Sequence, residues 1–186
     1  VDREKVEQAV RLMMEGLDLD LTEEGLIDTP RRVSSMFIDG FFRDIKRHPE
    51  EVITTFFHAD YDEMVALRNI QFHSVCEHHL LPFIGTAAVI YIPKDKRIVG
   101  ASKLARAVEI ASSRPQLQER MTSQLADVFM EKLKPHGVLV RLEAEHLCMT
   151  LRGVEKPGTK MVTTAIRGLF RTDLAARNEA LGMIRS

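Results

Sequence analysis

Cys76, Glu77, His78 and His79 fill four consecutive positions of the stretch SVCEHHLLP, residues 74–82. A chain with only two cysteines and seven histidines has concentrated thiol, carboxylate and imidazole groups there. Cys76 and His79 are three positions apart, so one turn of backbone can bring a thiolate and a ring nitrogen to the ~2.0–2.3 Å that zinc requires of each. The other cysteine, Cys148, follows His146 by two positions in EAEHLCMTLRG. Together Cys76, His79 and Cys148 would supply three protein ligands and leave the fourth tetrahedral position for water or substrate, the count typical of a catalytic zinc. Sulfur and nitrogen donors favour zinc over magnesium or calcium. A metal held this way lowers the pKa of bound water to about 7. His78 and His146, each beside a ligand, are spare imidazoles that can move protons near neutrality, so the chemistry predicted is hydrolysis. On the residues alone the plainer alternatives stay open: a buried cysteine is often only a small hydrophobe, and adjacent histidines are often only solvated. Glu77 fits an orienting or an exposed role equally.

A second group lies between these motifs. GASKLAR places Gly100 before a helix start at Ser102, with Lys103 and Arg106 one turn apart, so that N–H groups, a hydroxyl and two cations could face one anion. Arg152, four residues past Cys148, could join them. A capped, solvated helix start accounts for the same residues. Gln118 and Glu119 open the next helix off its apolar stripe; an acidic first turn suits the helix dipole in any protein. Aimed into a site, the Glu119 carboxylate could accept two parallel N–H bonds from a guanine Watson–Crick edge.

The elements that must position these groups follow from periodicity. Residues 2–15 predict a helix burying Val6, Val10, Leu12 and Met13, and DTPRRVSSMFIDGFF predicts a second, with Pro30 at its first turn and a stripe of Val33, Met36, Phe37 and Phe41. From about Glu63 the period changes to strands, MVALRNIQF and FIGTAAVIYIP. SKLARAVEIASS and a segment restarting at Arg114-Pro115 predict two helices, the second with a stripe of Leu117, Met121, Leu125, Val128 and Leu133. VLVRLEAEHLCM predicts a strand with Val138, Val140, Leu142 and Ala144 on one face. Extending that parity lines up His146, Cys148, Thr150 and Arg152 with the buried face. A strand MVTTAIRGLF and a closing helix TDLAARNEALGMI complete an α+β chain, its largely antiparallel sheet covered by helices. The expected organisation is an N-terminal helical region, residues 1–62, and a catalytic domain, residues 63–186.

Lys plus Arg number 26 against 27 Asp plus Glu, so no global basic field exists to attract nucleic acid or an anionic membrane, and any anion site must be local. The longest apolar run, residues 83–92, is about half of the ~20 residues a spanning helix needs. VDREKVEQAV lacks the pattern of a secretory leader. The expectation is a soluble cytoplasmic protein, in which metal binding or simple burial of the cysteines is favoured over a disulfide.

SVCEHHLLPFIG, GASKLAR, RPQLQER and EAEHLCMTLRGV, in that order and preceded by DTPRRV, closely resemble the GTP cyclohydrolase I family from about residue 28 to about residue 171. The resemblance implies a tunnelling fold (T-fold) behind an N-terminal helical part, assembled as a toroidal homodecamer with sites at subunit interfaces. It implies conversion of GTP and water to 7,8-dihydroneopterin triphosphate and formate, by hydroxide attack at guanine C8, ring opening, formate release and pterin ring closure, at the entry to folate or related pterins. By position, Cys76, His79 and Cys148 match the zinc ligands, His78 the acid/base, and His146 its assistant. Glu119 matches the guanine anchor with Gln118 beside it, and Ser102, Lys103, Arg106 and Arg152 match the triphosphate contacts. Arg32 lies where the family also contributes a basic group. Two departures stand out: Ser35 replaces a basic residue common three positions after Arg32, and Ala101 replaces a common Leu. A zinc nucleobase deaminase is the nearest rival enzyme, but it needs Cys-x-x-Cys and His-x-Glu arrangements that this chain lacks. A non-catalytic purine- or pterin-binding relative is the other rival, against which the presence of both His78 and His146 argues.

Overall fold

The computed structural model describes residues 1–184, and its chain divides into two compact units, Val1–Ile45 and a second beginning at Lys46. In the first, α1 (Arg3–Glu15) is capped by the Asp2 carboxylate, which accepts from the Lys5 N–H at 3.0 Å. Its buried residues are Val10 and Met14, an i, i+4 pair. Leu12 and Met13, expected on that face, are exposed, because their positions point about 100° per residue away from the Val10–Met14 line. The second helix, α2 (Thr29–Ser35), opens on Pro30 and widens into a π-type segment over Met36–Phe41. Of the expected stripe Val33, Phe37 and Phe41 are half-buried and Met36 is exposed, while the buried positions of α2 are Pro30 and Ser34, an i, i+4 pair. Arg3 donates to Ser35 at 2.9 Å and pairs with Asp39, joining the two helices.

The second unit begins with a 3-10 turn (Pro49–Val52) and β1 (Phe56–His58), so residues 46–62 pack with the strands that follow rather than with the front helices. Next come β2 (Val65–Cys76), β3 (Pro82–Ile92) and β4 (Arg97–Val99), then α3 (Ala101–Ser112), β5 (Pro115–Gln116) and α4 (Gln118–Leu133). β6 (Gly137–His146), α5 (Leu147–Thr150), β7 (Lys160–Gly168), α6 (Leu169–Thr172) and α7 (Leu174–Met183) complete the order. The sheet runs β5-β2-β3-β6-β7, antiparallel except where β5 lies parallel to the end of β2; β1 and β4 form a separate pair. Two hairpins, β2–β3 and β6–β7, are thus joined by two helices that cross one face.

That face carries the main core. Phe83, Val89 and Tyr91 of β3 with Val138, Val140, Leu142 and Ala144 of β6 pack against Leu104 and Val108 of α3 and Met121, Leu125 and Phe129 of α4. The alternation read from the sequence therefore selects the helix-covered side, and each large aliphatic residue there contributes roughly 1.5–3 kcal/mol on burial. The opposite face is partly covered as well, by Phe170 of α6 and Ala180 of α7 against Ile90 and Leu139.

Two expected boundaries differ. Arg114-Pro115 does not restart a helix: Pro115–Gln116 is drawn into parallel pairing with Val75–Cys76 of β2, and α4 starts only at Gln118. β6 ends at His146, and Leu147–Thr150 coils into a single helical turn, closed by the Leu151 N–H donating to the Leu147 carbonyl at 2.9 Å. Strand parity therefore holds to His146 and does not carry Cys148, Thr150 or Arg152. Among the described residues no helix is long and apolar enough to cross a membrane.

Gly85 of β3 faces Ala144 of β6, and a Cβ built on it would lie 2.0 Å from the Glu143 carbonyl oxygen and 2.6 Å from the Ala144 Cβ. Gly85→Ala must push the two strands apart and is expected to cost about 1–3 kcal/mol of stability. Chemical denaturation followed by circular dichroism checks this; an unshifted midpoint would mean the strands have slack.

Candidate metal and purine site

The β2–β3 connection is a tight turn built for donors. Val75 still pairs with Pro82, while the Leu80 N–H bonds back to the Cys76 carbonyl at 2.9 Å and the Cys76 N–H donates to the Leu81 carbonyl at 2.8 Å. Leu80 takes a left-handed backbone, φ 53°, to close it. The turn sets both imidazoles around one buried thiol: the Cys76 Sγ is 3.7 Å from His78 Nδ1 and 4.0 Å from His79 Nδ1. From the far side the helical turn of α5 delivers Cys148, and single donor atoms of Cys76, His79 and Cys148 lie within 4.8 Å of one another. Two sulfurs and a nitrogen at that spacing can hold a metal ion. His78 and His79 are exposed, Cys148 half-buried.

Neighbouring carboxylates fix both donor-bearing segments. Glu77 pairs with Arg120, whose Nε also donates to Gln116 Oε1 at 3.1 Å, and the Glu77 N–H donates to the Gln116 carbonyl at 3.3 Å. Glu77, without an assignment from the sequence, thus ties the metal turn to the start of α4. Glu145 accepts from the Gly158 N–H and the Thr150 hydroxyl, each at 3.0 Å, which fastens the loop after Cys148 and holds its carboxyl below the usual range. Nothing in the spacing of the sequence signals Arg120 or Gln116.

His146 lies opposite Phe83 and stacks on it, ring centroids 4.5 Å apart and planes within 2°. Its Nε2 is 2.8 Å from Gln118 Oε1. Burial lowers its pKa, against an opposing pull from the Glu119 carboxylate, so the ring favours the neutral form. Gln118, expected beside the guanine, is 1% exposed, and its amide nitrogen points at Leu142 O, Met161 O and Thr163 Oγ1. Its side chain is spent on the protein. Glu119 instead is exposed and borders an open cavity of about 480 Å³ whose wall includes Thr122, Thr163, Arg167 and Arg177. Arg152 reaches the metal end, its guanidinium 3.2 Å from His79 Nε2.

Ser102, Lys103 and Arg106 are elsewhere. Tyr91, at the end of β3 remote from Pro82, accepts from the Val99 N–H at 3.3 Å, which sets the start of α3 at that remote end. The helix then returns until its Ser112 carbonyl accepts the Ser74 hydroxyl at 2.8 Å, beside the metal turn. Ser102 is therefore roughly 15 Å up the helix axis from that contact. Within one chain the structure gathers the metal donors, His78, His146, Glu119 and Arg152 but leaves Ser102 and Lys103 apart. Arg32, in the first unit, pairs with Asp28 at 3.5 Å.

This donor set, flanked by His146 and by the cavity that Glu119 borders, sits in a chain whose residues 6–185 match the sequence model of GTP cyclohydrolase I. The chain belongs to the GTP cyclohydrolase I family. It is 52% identical over 184 residues to the GTP cyclohydrolase 1 of Carboxydothermus hydrogenoformans, an alignment covering 99% of this chain and 95% of that one. Against the enzymes of the same name from Brevibacillus brevis and Bacillus subtilis the identities are 50% and 51%, with the whole of this chain covered and 98% and 97% of theirs. As a GTP cyclohydrolase I family member the chain is an enzyme with the T-fold: an antiparallel sheet covered by helices, preceded by an N-terminal helical part.

Burial, and then the neighbouring Cys76, push the Cys148 thiol above its ordinary pKa, so it is protonated at neutral pH and must release a proton to bind a metal. Apparent metal affinity should therefore rise with pH across the neutral range, by about tenfold per pH unit from this thiol alone. Chelator competition at a series of pH values measures it; a flat profile would argue that Cys148 is not a ligand.

Proposed function

We propose that this chain is a zinc-dependent hydrolase that converts GTP and water to 7,8-dihydroneopterin triphosphate and formate. The observation that carries the reading is the convergence of Cys76, His79 and Cys148 donors beside His78, His146 and Glu119. Sulfur–nitrogen–sulfur donors suit zinc, and three of them leave one position open. When bound, zinc supplies a Lewis acid that makes hydroxide available near neutrality for attack at guanine C8.

The chain's own residues supply the rest. Glu119 anchors the guanine by accepting N–H bonds from its Watson–Crick edge at the rim of the cavity. His78, exposed on the metal turn, protonates the imidazole nitrogen of the purine as the ring opens, and His146 assists later proton transfers through formate release and pterin closure. Arg152 and the Ser102, Lys103 and Arg106 group bind the triphosphate, with Arg32 as a further basic contact. Because Ser102 and Lys103 lie along α3 away from the metal turn of their own chain, a neighbouring subunit must present them. This supports a homo-oligomer, a decamer by family resemblance, with active sites at subunit interfaces. In this reading residues 63–186 form the catalytic domain of a cytoplasmic enzyme, with the strand-bearing residues 46–62 packed onto it after the helical region, and neither nucleic acid nor membrane is a partner.

Incubation of the zinc-loaded protein with GTP should release formate and develop pterin absorbance together. His78→Ala should abolish turnover, a loss on the order of 100-fold or more for an acid/base group, while zinc content and assembly stay unchanged. Intact GTP with the zinc-loaded wild type would remove the proposal, and ammonia instead of formate would indicate a deaminase.

A further inference from the structure

The hydrogen bonds around Gln118 can be followed proton by proton. The Thr122 hydroxyl has one hydrogen and donates it to the Gln118 backbone carbonyl at 2.6 Å. The 2.6 Å contact between Thr122 and Thr163 then takes its proton from Thr163, which leaves Thr163 Oγ1 to accept from Gln118 Nε2 at 3.1 Å. Two further partners of that nitrogen are backbone carbonyls, Met161 O at 3.0 Å and Leu142 O at 3.3 Å, which only accept. Three acceptors around one end of the carboxamide fix its orientation: nitrogen toward β6 and β7, oxygen toward His146. Turned over, it would set Oε1 against two carbonyl oxygens, an arrangement with no proton to share.

An amide oxygen cannot donate. The 2.8 Å contact between Gln118 Oε1 and His146 Nε2 therefore requires the proton on the imidazole nitrogen. Stacking on Phe83, itself fully buried in the core, holds the plane of the ring, and a half-turn within that plane would set the carbon Cε1 against the amide oxygen and forfeit the 2.8 Å bond. We propose that Gln118 is a positioning residue that holds His146 in the Nε2–H tautomer, leaving Nδ1 as the bare nitrogen available for proton transfer. Gln118 thereby acts on the reaction through His146 and makes no side-chain contact with the substrate. Thr122 and Thr163 extend this control one step further, since they set the direction of the amide. The assignment of a proton-transfer role to His146 rests on the function proposed above; the tautomer itself rests only on the hydrogen-bond chain.

Neutron diffraction from crystals of the zinc-loaded protein exchanged into deuterium oxide reads the tautomer directly. A deuteron on His146 Nε2 with Nδ1 bare is the expected result; a deuteron on Nδ1, or a bare Nε2, overturns the proposal. Gln118→Met supplies the functional readout. Loss of the amide should lower kcat on the order of 10- to 100-fold, as removal of other orienting partners does, with KM for GTP within about twofold and zinc content unchanged. A raised KM at unchanged kcat would mean that Gln118 serves the substrate instead and would sink the idea. If Gln118→Met fails to fold, the neutron result on the wild type still decides. Failure of the wild type to consume GTP would defeat the proposed function and leave the tautomer assignment standing or falling on the nuclear density.

Discussion

The pairing of Phe83 with His146 fixes the near ends of β3 and β6, and through them the two loops that carry the metal donors. Just before Phe83 the chain emerges from the turn that holds Cys76 and His79; just after His146 it coils to deliver Cys148. Side chains alternate along a strand, so a one-residue slip would turn Phe83 out of the core and His146 off its stacking partner. The register is held by ten paired positions from Phe83–His146 to Ile92–Gly137, most of them backed by the buried helices. The close approach at Gly85 belongs to the same constraint.

Around that register, polar groups divide into those that position and those left free. Gln116, Gln118, Thr122 and Ser74 are all buried, and each is bonded within the protein. Glu77 and Glu145 spend their carboxylates on Arg120, Thr150 and Gly158. What remains exposed at the metal end includes His78, His79, Glu119 and Arg152: two imidazoles, a carboxylate and a guanidinium. Rigid support beneath a small set of exposed groups lets a site bind and react without first paying for its own ordering.

Much of this was legible in the sequence because it depends on local spacing. The Cys76–His79 separation suits a single turn, and the alternation from Val138 to Ala144 marks a strand with one face in the main core. The third donor was found for a partly mistaken reason: parity pointed to Cys148, but a helical turn, not a strand, delivers it to Cys76. One-turn helices leave almost no periodic signal. Gln118 was read as a substrate contact because it adjoins Glu119, whereas consecutive residues at a helix start point about 100° apart, one inward and one to the cavity. Nor could spacing reveal Arg120, Thr163 or Phe83, whose roles arise from contacts between distant segments. The separation of Ser102 and Lys103 from the metal turn likewise needs the path of α3, which returns along the sheet from its remote end.

X-ray absorption at the zinc edge of the loaded protein tests the central claim most directly. The account predicts two sulfur scatterers near ~2.3 Å and one imidazole nitrogen near ~2.0–2.1 Å, with a light exchangeable ligand completing four-coordination. It also predicts that Cys148→Ala removes one of the two sulfurs. Four protein ligands, with His78 drawn in as the second nitrogen, would contradict it.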